Sequence, residues 1–338
     1  MYTMVFDITV TDIKNKTSYK VAMLDKVEIH KSQELLADTA QITLPSAQYN
    51  VPLDIEDKIH RGDGVTIKLG YKETGLVTEF DGWIQRISTD GGNITLYCED
   101  DLYLMRKSIP NKVFKQVKLK TLLEYVVSHC GVALLIDCTY TWTYSKFVIN
   151  NATGYDVLKK VQDECGADIY IRDNYLCVKA PGEVIKKKVN EQGKEEEVTT
   201  YYDFAKNIEK EDLTYKDAED KRFEVVVKAN MPDGKVKELK FGTTGGDKVE
   251  IKCATSDEAS MKARAESELK RRSYSGYDGS ITTWLIPECE PGCKASIHDA
   301  DYPKKNGIYY VNSVTTTFDK GGGSRKVGLS FKLDDKRS

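Results

Sequence analysis

Glu99-Asp100-Asp101 sets three carboxylates side by side, and paired carboxyl groups are the equipment of glycoside hydrolysis. Neighbouring residues at a strand end project in different directions, so a solvated turn is the better reading of this triplet. Cys289, Cys293 and His298 offer two thiols and an imidazole, ligand types that suit tetrahedral zinc. They lack a convincing fourth ligand and the tight paired knuckle of a structural zinc site, so strand-edge residues are expected there. Gly242-Thr243-Thr244-Gly245-Gly246-Asp247-Lys248 has the glycines of a phosphate-cradling loop. Asp247 separates the last glycine from Lys248, no Ser or Thr follows the lysine to meet magnesium, and no helix begins there, so a turn between strands is expected.

The remaining chemistry is thinner. The four histidines, His30, His60, His129 and His298, sit in no nucleophile or metal motif. Trp83, Trp142 and Trp284 are candidates for a sugar-binding face, but they are far apart and each lies in or beside a strand pattern. Core or interface packing accounts for them better. No catalytic, cofactor-binding or metal-binding residue is therefore expected, and the chain reads as a non-enzyme with no cofactor. The eight cysteines are scattered; Cys98, Cys130 and Cys165 fall on apolar faces, where a thiol acts as a small hydrophobe, and all eight are expected to be free.

Bulk properties narrow the function further. Fifty Lys and Arg against 53 Asp and Glu give a net charge of −3 over 338 residues, so no global basic field favours nucleic acid, and nucleic-acid sequence recognition is not expected. The N-terminus has no export-signal pattern and no apolar run approaches ~18 residues, so membrane insertion is not expected and synthesis in a cytoplasm is.

These residues must be held by the following elements. Period-two alternation runs through Met4, Phe6, Ile8 and Val10, then Ala40, Ile42 and Leu44, then Val65, Ile67 and Leu69, then Ile94, Leu96 and Cys98. Turn residues Pro45, Asn50, Pro52, Gly62, Gly64, Gly75, Gly91 and Gly92 separate them, which predicts a barrel or sandwich of short strands. Leu119, Leu122, Leu123, Val126, Val127 and Cys130 form a helical stripe closed by Gly131; a second helix follows Asn151-Ala152-Thr153-Gly154 and stops at Gly166. Arg172-Asp173-Asn174-Tyr175 reads as a tight hairpin. The stretch 183–222 is rich in alternating charge and predicts a protruding hairpin or linker. A third helix is expected at about 256–272, with Thr255 and Glu258 as its capping box.

Arg61-Gly62-Asp63-Gly64-Val65-Thr66-Ile67 is echoed by Pro291-Gly292-Cys293-Lys294-Ala295-Ser296-Ile297. Beyond each turn, Ile84 and Ile87 match Val311 and Val314 at equal spacing, and Ile94 to Cys98 matches Val327 to Phe331. The expected architecture is mainly β with an α+β insertion. Two related β-barrel modules, 1–107 and 223–338, bracket a small α/β module at 108–182 and the charged stretch at 183–222.

Several segments carry a family likeness. Gly62-Asp63-Gly64-Val65-Thr66-Ile67-Lys68-Leu69-Gly70-Tyr71 and Phe80-Asp81-Gly82-Trp83-Ile84-Gln85-Arg86-Ile87 are followed by the strand Ile94 to Leu102. Asn150-Asn151-Ala152-Thr153-Gly154-Tyr155-Asp156-Val157-Leu158 precedes the block Cys165 to Leu176, and Gly307-Ile308-Tyr309-Tyr310-Val311-Asn312-Ser313-Val314 comes last. In that order they resemble the phage late control D family, tail-hub proteins that also form the N-terminal half of type VI secretion spike proteins. The resemblance implies a structural baseplate-hub protein in the virion tail, assembled in the bacterial host cytoplasm. It also implies a homotrimer whose six barrels match a hexameric tail tube, or tube-end proteins, to a central spike. Nothing in the chain resembles a lysozyme, peptidase or needle domain, so any lytic activity is expected on another polypeptide. The rival readings are a carbohydrate-binding receptor-recognition protein, which needs an exposed aromatic cluster, and a cryptic hydrolase, which needs a pocket of perturbed titratable groups.

Overall fold

A computed structural model describes residues 2–45, 58–90, 92–172, 174–183, 187–189, 195–218, 222–231 and 233–333. The turn residues Asn50, Pro52, Gly91 and Asp173, and most of the charged tract from Glu183 to Glu197, lie outside them.

The first module contains β1 (Met4–Asp12), β2 (Thr17–Lys20), β3 (Lys26–Ser32), β4 (Thr39–Leu44), β5 (Gly64–Tyr71), β6 (Gly75–Asp90) and β7 (Asn93–Glu99). They hydrogen-bond in the order β3-β4-β7-β6-β5-β1-β2. The alternation read from the sequence is the inward face. Ile8 and Val10, Ala40, Ile42 and Leu44, Val65, Ile67 and Leu69, and Ile94, Leu96 and Cys98 are buried in one cluster. A sheet whose single face converges on one cluster has curled around it, as a barrel does.

The α/β segment follows a 3₁₀ turn at Asp101–Met105. It holds β8 (Lys112–Phe114), β9 (Val117–Lys118), α1 (Leu119–Cys130), β10 (Leu135–Cys138), β11 (Thr143–Tyr144), β12 (Phe147–Ile149), α2 (Gly154–Cys165), β13 (Asp168–Arg172) and β14 (Tyr175–Lys179). The six residues of the predicted stripe are the buried residues of α1, and Gly131 and Gly166 close the two helices in the left-handed conformation. Thr153 accepts from the Asp156 amide, and the Asp156 carboxylate accepts from the Thr153 amide, a reciprocal cap that satisfies two helix-end donors. The β13–β14 hairpin pairs Arg172 with Tyr175, as the sequence predicts.

Within the charged stretch, β15 (Lys187–Val189) and β16 (Glu195–Glu197) pair antiparallel. The structure then departs from the expected linker, because β17 (Thr199–Asp203) and β18 (Lys210–Lys216) belong to the large sheet, paired with strands of the second module. Charge hid them. β18 is an edge strand in which only Leu213 and Lys216 are half-buried and the rest is exposed, so its alternation is faint.

The expected boundary at Phe223 is also displaced. β19 (Phe223–Asn230), β20 (Val236–Gly242), β21 (Asp247–Cys253) and α3 (Glu258–Arg272) interrupt the second module, between β18 and β22 (Gly276–Trp284). Val225, Val227, Ala229, Met261 and Ala265 are buried in the same core as α1 and α2, so this insertion completes the α/β unit rather than the barrel. The cap of α3 also differs from expectation: Asp257, not Thr255, accepts from the Ser260 amide. Thr255 instead accepts from the Asp257 amide one turn earlier.

The second module is finished by β23 (Lys294–His298), β24 (Gly307–Asp319) and β25 (Gly322–Lys332) around Tyr202, Tyr277, Ile281, Ala295, Ile297, Val311, Val327 and Leu329. Its order β18-β22-β25-β24-β23 repeats β3-β4-β7-β6-β5. The repetition extends to the irregularities. In the first module the β6–β7 register slips between Ile84↔Cys98 and Arg86↔Tyr97; in the second, the β24–β25 register slips between Val311↔Leu329 and Ser313↔Gly328. On β6 and β24 these are the positions aligned by the sequence echo, Ile84 with Val311; on the partner strands Cys98 falls opposite Leu329 rather than Phe331, two residues from the echo. The turns match too. Gly62 and Gly292, at φ 93° and 81°, donate to the carbonyls of Ile84 and Val311, each at 2.8 Å. Those two residues donate back to Asp63 and Cys293. A side chain is disfavoured at such positive φ, so glycine opens both strands. Bulges are specific features of a strand pair, and their coincidence makes the two β modules related.

Candidate functional site

No compact constellation of reactive groups emerges at the positions weighed from the sequence. Glu99 holds Arg106 through two bonds of 2.7 and 2.6 Å. Asp100 accepts from the Leu102 amide, and Asp101 accepts from the Trp83 indole at 3.0 Å. The three carboxylates thus serve three separate structural contacts. Cys289 and Cys293 are buried while His298 is exposed, and among the described residues no group of three metal-ligating side chains converges. All eight cysteines are free. Burial pushes the Cys98 and Cys165 thiols up to about 12, away from thiolate chemistry.

The glycine-rich segment after Gly242 is a turn whose Thr243 and Asp247 amides donate to the carbonyls of Phe223 and Arg222. No helix begins there, and those amides are already used. Of the histidines, His30 bonds Thr315, His60 lies 3.7 Å from Asp63, and His129 lies against the Tyr125 ring at a tilt. Trp83 stacks on Tyr103, Trp142 is buried beside Tyr140 and Tyr144, and Trp284 is exposed on a separate groove of about 530 Å³. The three tryptophans therefore do not share a face.

What the fold does bring together is a junction between modules. β24 pairs antiparallel with β3 from Ser313↔Ser32 to Asp319↔Lys26, so the two modules form one continuous sheet. The Gln33 amide extends the ladder to the Asn312 carbonyl. Behind this seam lies an ion pair that sequence reading missed. Arg325 and Glu79 are both buried and joined by bonds of 2.7 and 3.1 Å. Arg325 also donates to the carbonyls of Leu285 and Cys289. Its signal in the sequence was parity: Arg325 falls on the inward rhythm of Val327 and Leu329, where a charge requires a buried partner.

At the other end of the seam the three units converge. Lys31 and Glu290 pair at 3.4 Å beside Asp38 and Asp100; the Asp38 amide donates to the Asp100 carboxylate and the Asp100 amide to the Asp38 carbonyl. Burial holds the carboxyl of Asp100 above the usual carboxylate range, and the nearby Asp38 pushes in the same direction. The arrangement fixes the modules relative to one another.

A protein-family model described as YQBQ-like matches residues 31–329, most of the chain. The chain belongs to the YQBQ-like family. No curated protein matches it. Among solved structures, this YQBQ-like chain is similar to a tail protein from Neisseria meningitidis MC58, with TM-score 0.63 and 13% identity over 98% of this chain and 97% of that one. It is likewise similar to the 43 kDa tail protein of prophage MuSo2 from Shewanella oneidensis, with TM-score 0.62, 14% identity and coverage of 97% and 98%. An Escherichia coli component of the type VI secretion system aligns over 98% of this chain and 77% of its own, with TM-score 0.56 and 9% identity. At such identities the likeness is one of fold: the YQBQ-like chain has the mainly β architecture found in phage tail and type VI secretion proteins.

Proposed function

We propose that the chain is a structural hub subunit of a phage tail or a phage-like injection machine, joining the tail tube to the central spike. The observation that carries this reading is the duplication, with its matching bulges and turns in two modules of one polypeptide. A chain with two equivalent modules presents two similar surfaces about an axis. Three copies present six, which reconciles sixfold tube symmetry on one face with threefold spike symmetry on the other. The resemblance to late control D hub proteins and the fold shared with tail and secretion proteins support the same assignment. The working form is a homotrimer in the virion tail, assembled in the host cytoplasm, with tube-end and spike proteins as partners and no catalytic role of its own.

Mixing the protein with the tube-end and spike proteins encoded beside it tests the proposal by electron microscopy. The expected product is a ring of three copies with pseudo-sixfold density. A chain that ignores both partners yet binds a glycan overturns the proposal in favour of receptor recognition.

A further inference from the structure

The internal seam is a template for an external one. In the second module, β24 carries β25 along one edge; its other edge is covered first by β23 and then, from Ser313 to Asp319, by β3 of the first module. The equivalent strand in the first module is β6. It carries β7 along one edge, and β5 covers its other edge only as far as Trp83. Among the described residues no strand pairs with that second edge beyond Trp83.

The strand equivalent to β3 can be located just as directly. Ile29 pairs with Ala40, which pairs with Cys98; Leu213 pairs with Gly279, which pairs with Leu329. Cys98 and Leu329 occupy the same side of the two matching bulges, so β18 stands where β3 stands. β18 pairs only with β22 among the described residues, and it ends the large sheet. Each chain thus carries one edge of each kind required to repeat the β24–β3 seam, and the two belong to different modules.

We propose that β18 of one copy pairs antiparallel with the Arg86–Thr89 segment of β6 in the next copy, reproducing between chains the β3–β24 ladder within a chain. The inference rests on the hub reading for its setting and deepens it by naming the contact. The internal register carries over residue by residue. Ser313↔Ser32 becomes Arg86↔Lys216, Val314↔Lys31 becomes Ile87↔Tyr215, and Thr315↔His30 becomes Ser88↔Thr214.

The chemistry along this register is compatible with pairing. The internal Thr315 hydroxyl and His30 imidazole bond at 2.9 Å across the seam, and a serine facing a threonine makes the same kind of cross-strand bond. Arg86 and Lys216 carry like charges, but each is already engaged on its own chain, by the Tyr97 ring at 3.8 Å and by Asp278 at 2.5 Å. Arg86, Thr89 and Thr214 are exposed, as an unpaired edge requires. Long free edges are a liability in a monomer, and joining them in a closed ring removes it. The contact is head-to-tail, so each copy uses both edges.

Residues directly opposite in an antiparallel pair have Cα atoms about 4.5 to 5.5 Å apart, within the range a disulfide spans. The Ser88→Cys/Thr214→Cys protein, oxidised in the presence of the tube-end and spike proteins, is expected to give a reductant-sensitive ladder of covalent oligomers ending at the ring size. Ser88→Cys/Lys210→Cys, displaced by four residues along β18, is expected to give none. As a readout without substitutions, amides of 86–89 and 212–216 in the unaltered chain should exchange with deuterium more slowly in the assembly than in the free protein. Rings that form without the ladder and without that protection overturn the seam and leave the hub reading standing. A ladder with no binding to tube or spike proteins supports the seam and overturns the hub reading. Neither rings nor ladder overturns both.

Discussion

Arg325 and Glu79 show how much a single pair of side chains is asked to do. Each is buried, each comes from a different module, and the guanidinium is shared between the carboxylate and two carbonyls. Taking two charges out of water is costly, and the pair is tolerated because geometry and hydrogen bonds return that cost; removing one partner leaves the other stranded. Arg325→Met is therefore expected to lower the unfolding free energy by about 3–5 kcal/mol in denaturant titrations. Glu79→Leu combined with Arg325→Met should recover most of the loss. A single substitution with no measurable effect would remove the pair from any account of how the modules are held. The same scale explains the reading of Glu99-Asp100-Asp101: adjacent side chains diverge, and here they reach Arg106, the Leu102 amide and Trp83.

At the scale of elements, local patterning was sufficient where one segment supplies both the apolar face and its punctuation. The α1 stripe and its glycine stop are a property of twelve consecutive residues, and the α2 cap is a property of four. Thr153→Ala should destabilise the chain by about 1 kcal/mol, because the amide of Asp156 loses its acceptor. Thermal melts compared with Thr153→Ser, which keeps the acceptor, check this. Local patterning was insufficient for β17 and β18. An edge strand with one neighbour buries little, so its composition looks like solvated linker until the partner strand is known. The α3 cap was misread for a related reason: Thr255 and Asp257 both satisfy the motif chemistry, and the backbone path selects Asp257.

For the whole molecule, the cores do not follow chain order. The α/β core draws Leu36 and Ala37 from the loop between β3 and β4, the helices α1 and α2, and the inserted β19–α3 unit. The core of the first module takes Leu285 and Phe318 from the far end of the sequence. A fragment of residues 108–182 therefore lacks the apolar residues that cover it. It is expected to show no cooperative unfolding transition by circular dichroism, whereas fusing it to 222–272 should restore one. A sharp transition for 108–182 alone would mean that the shared core is incidental.

Spacing within short windows was enough for the strand alternation of the first module, the three helices and the glycine turns, and comparison of two such windows was enough for the duplication. The sequence also disfavoured the zinc, phosphate and glycosidase sites, whose ligand sets are incomplete or wrongly spaced. Long-range packing, by contrast, sets the shared sheet through β3 and β24, the meeting of Arg325 with Glu79, and the place of 223–272 in the α/β core. Strand neighbours far apart in the chain are chosen by edge geometry and by which apolar faces can close together. No local window encodes that choice.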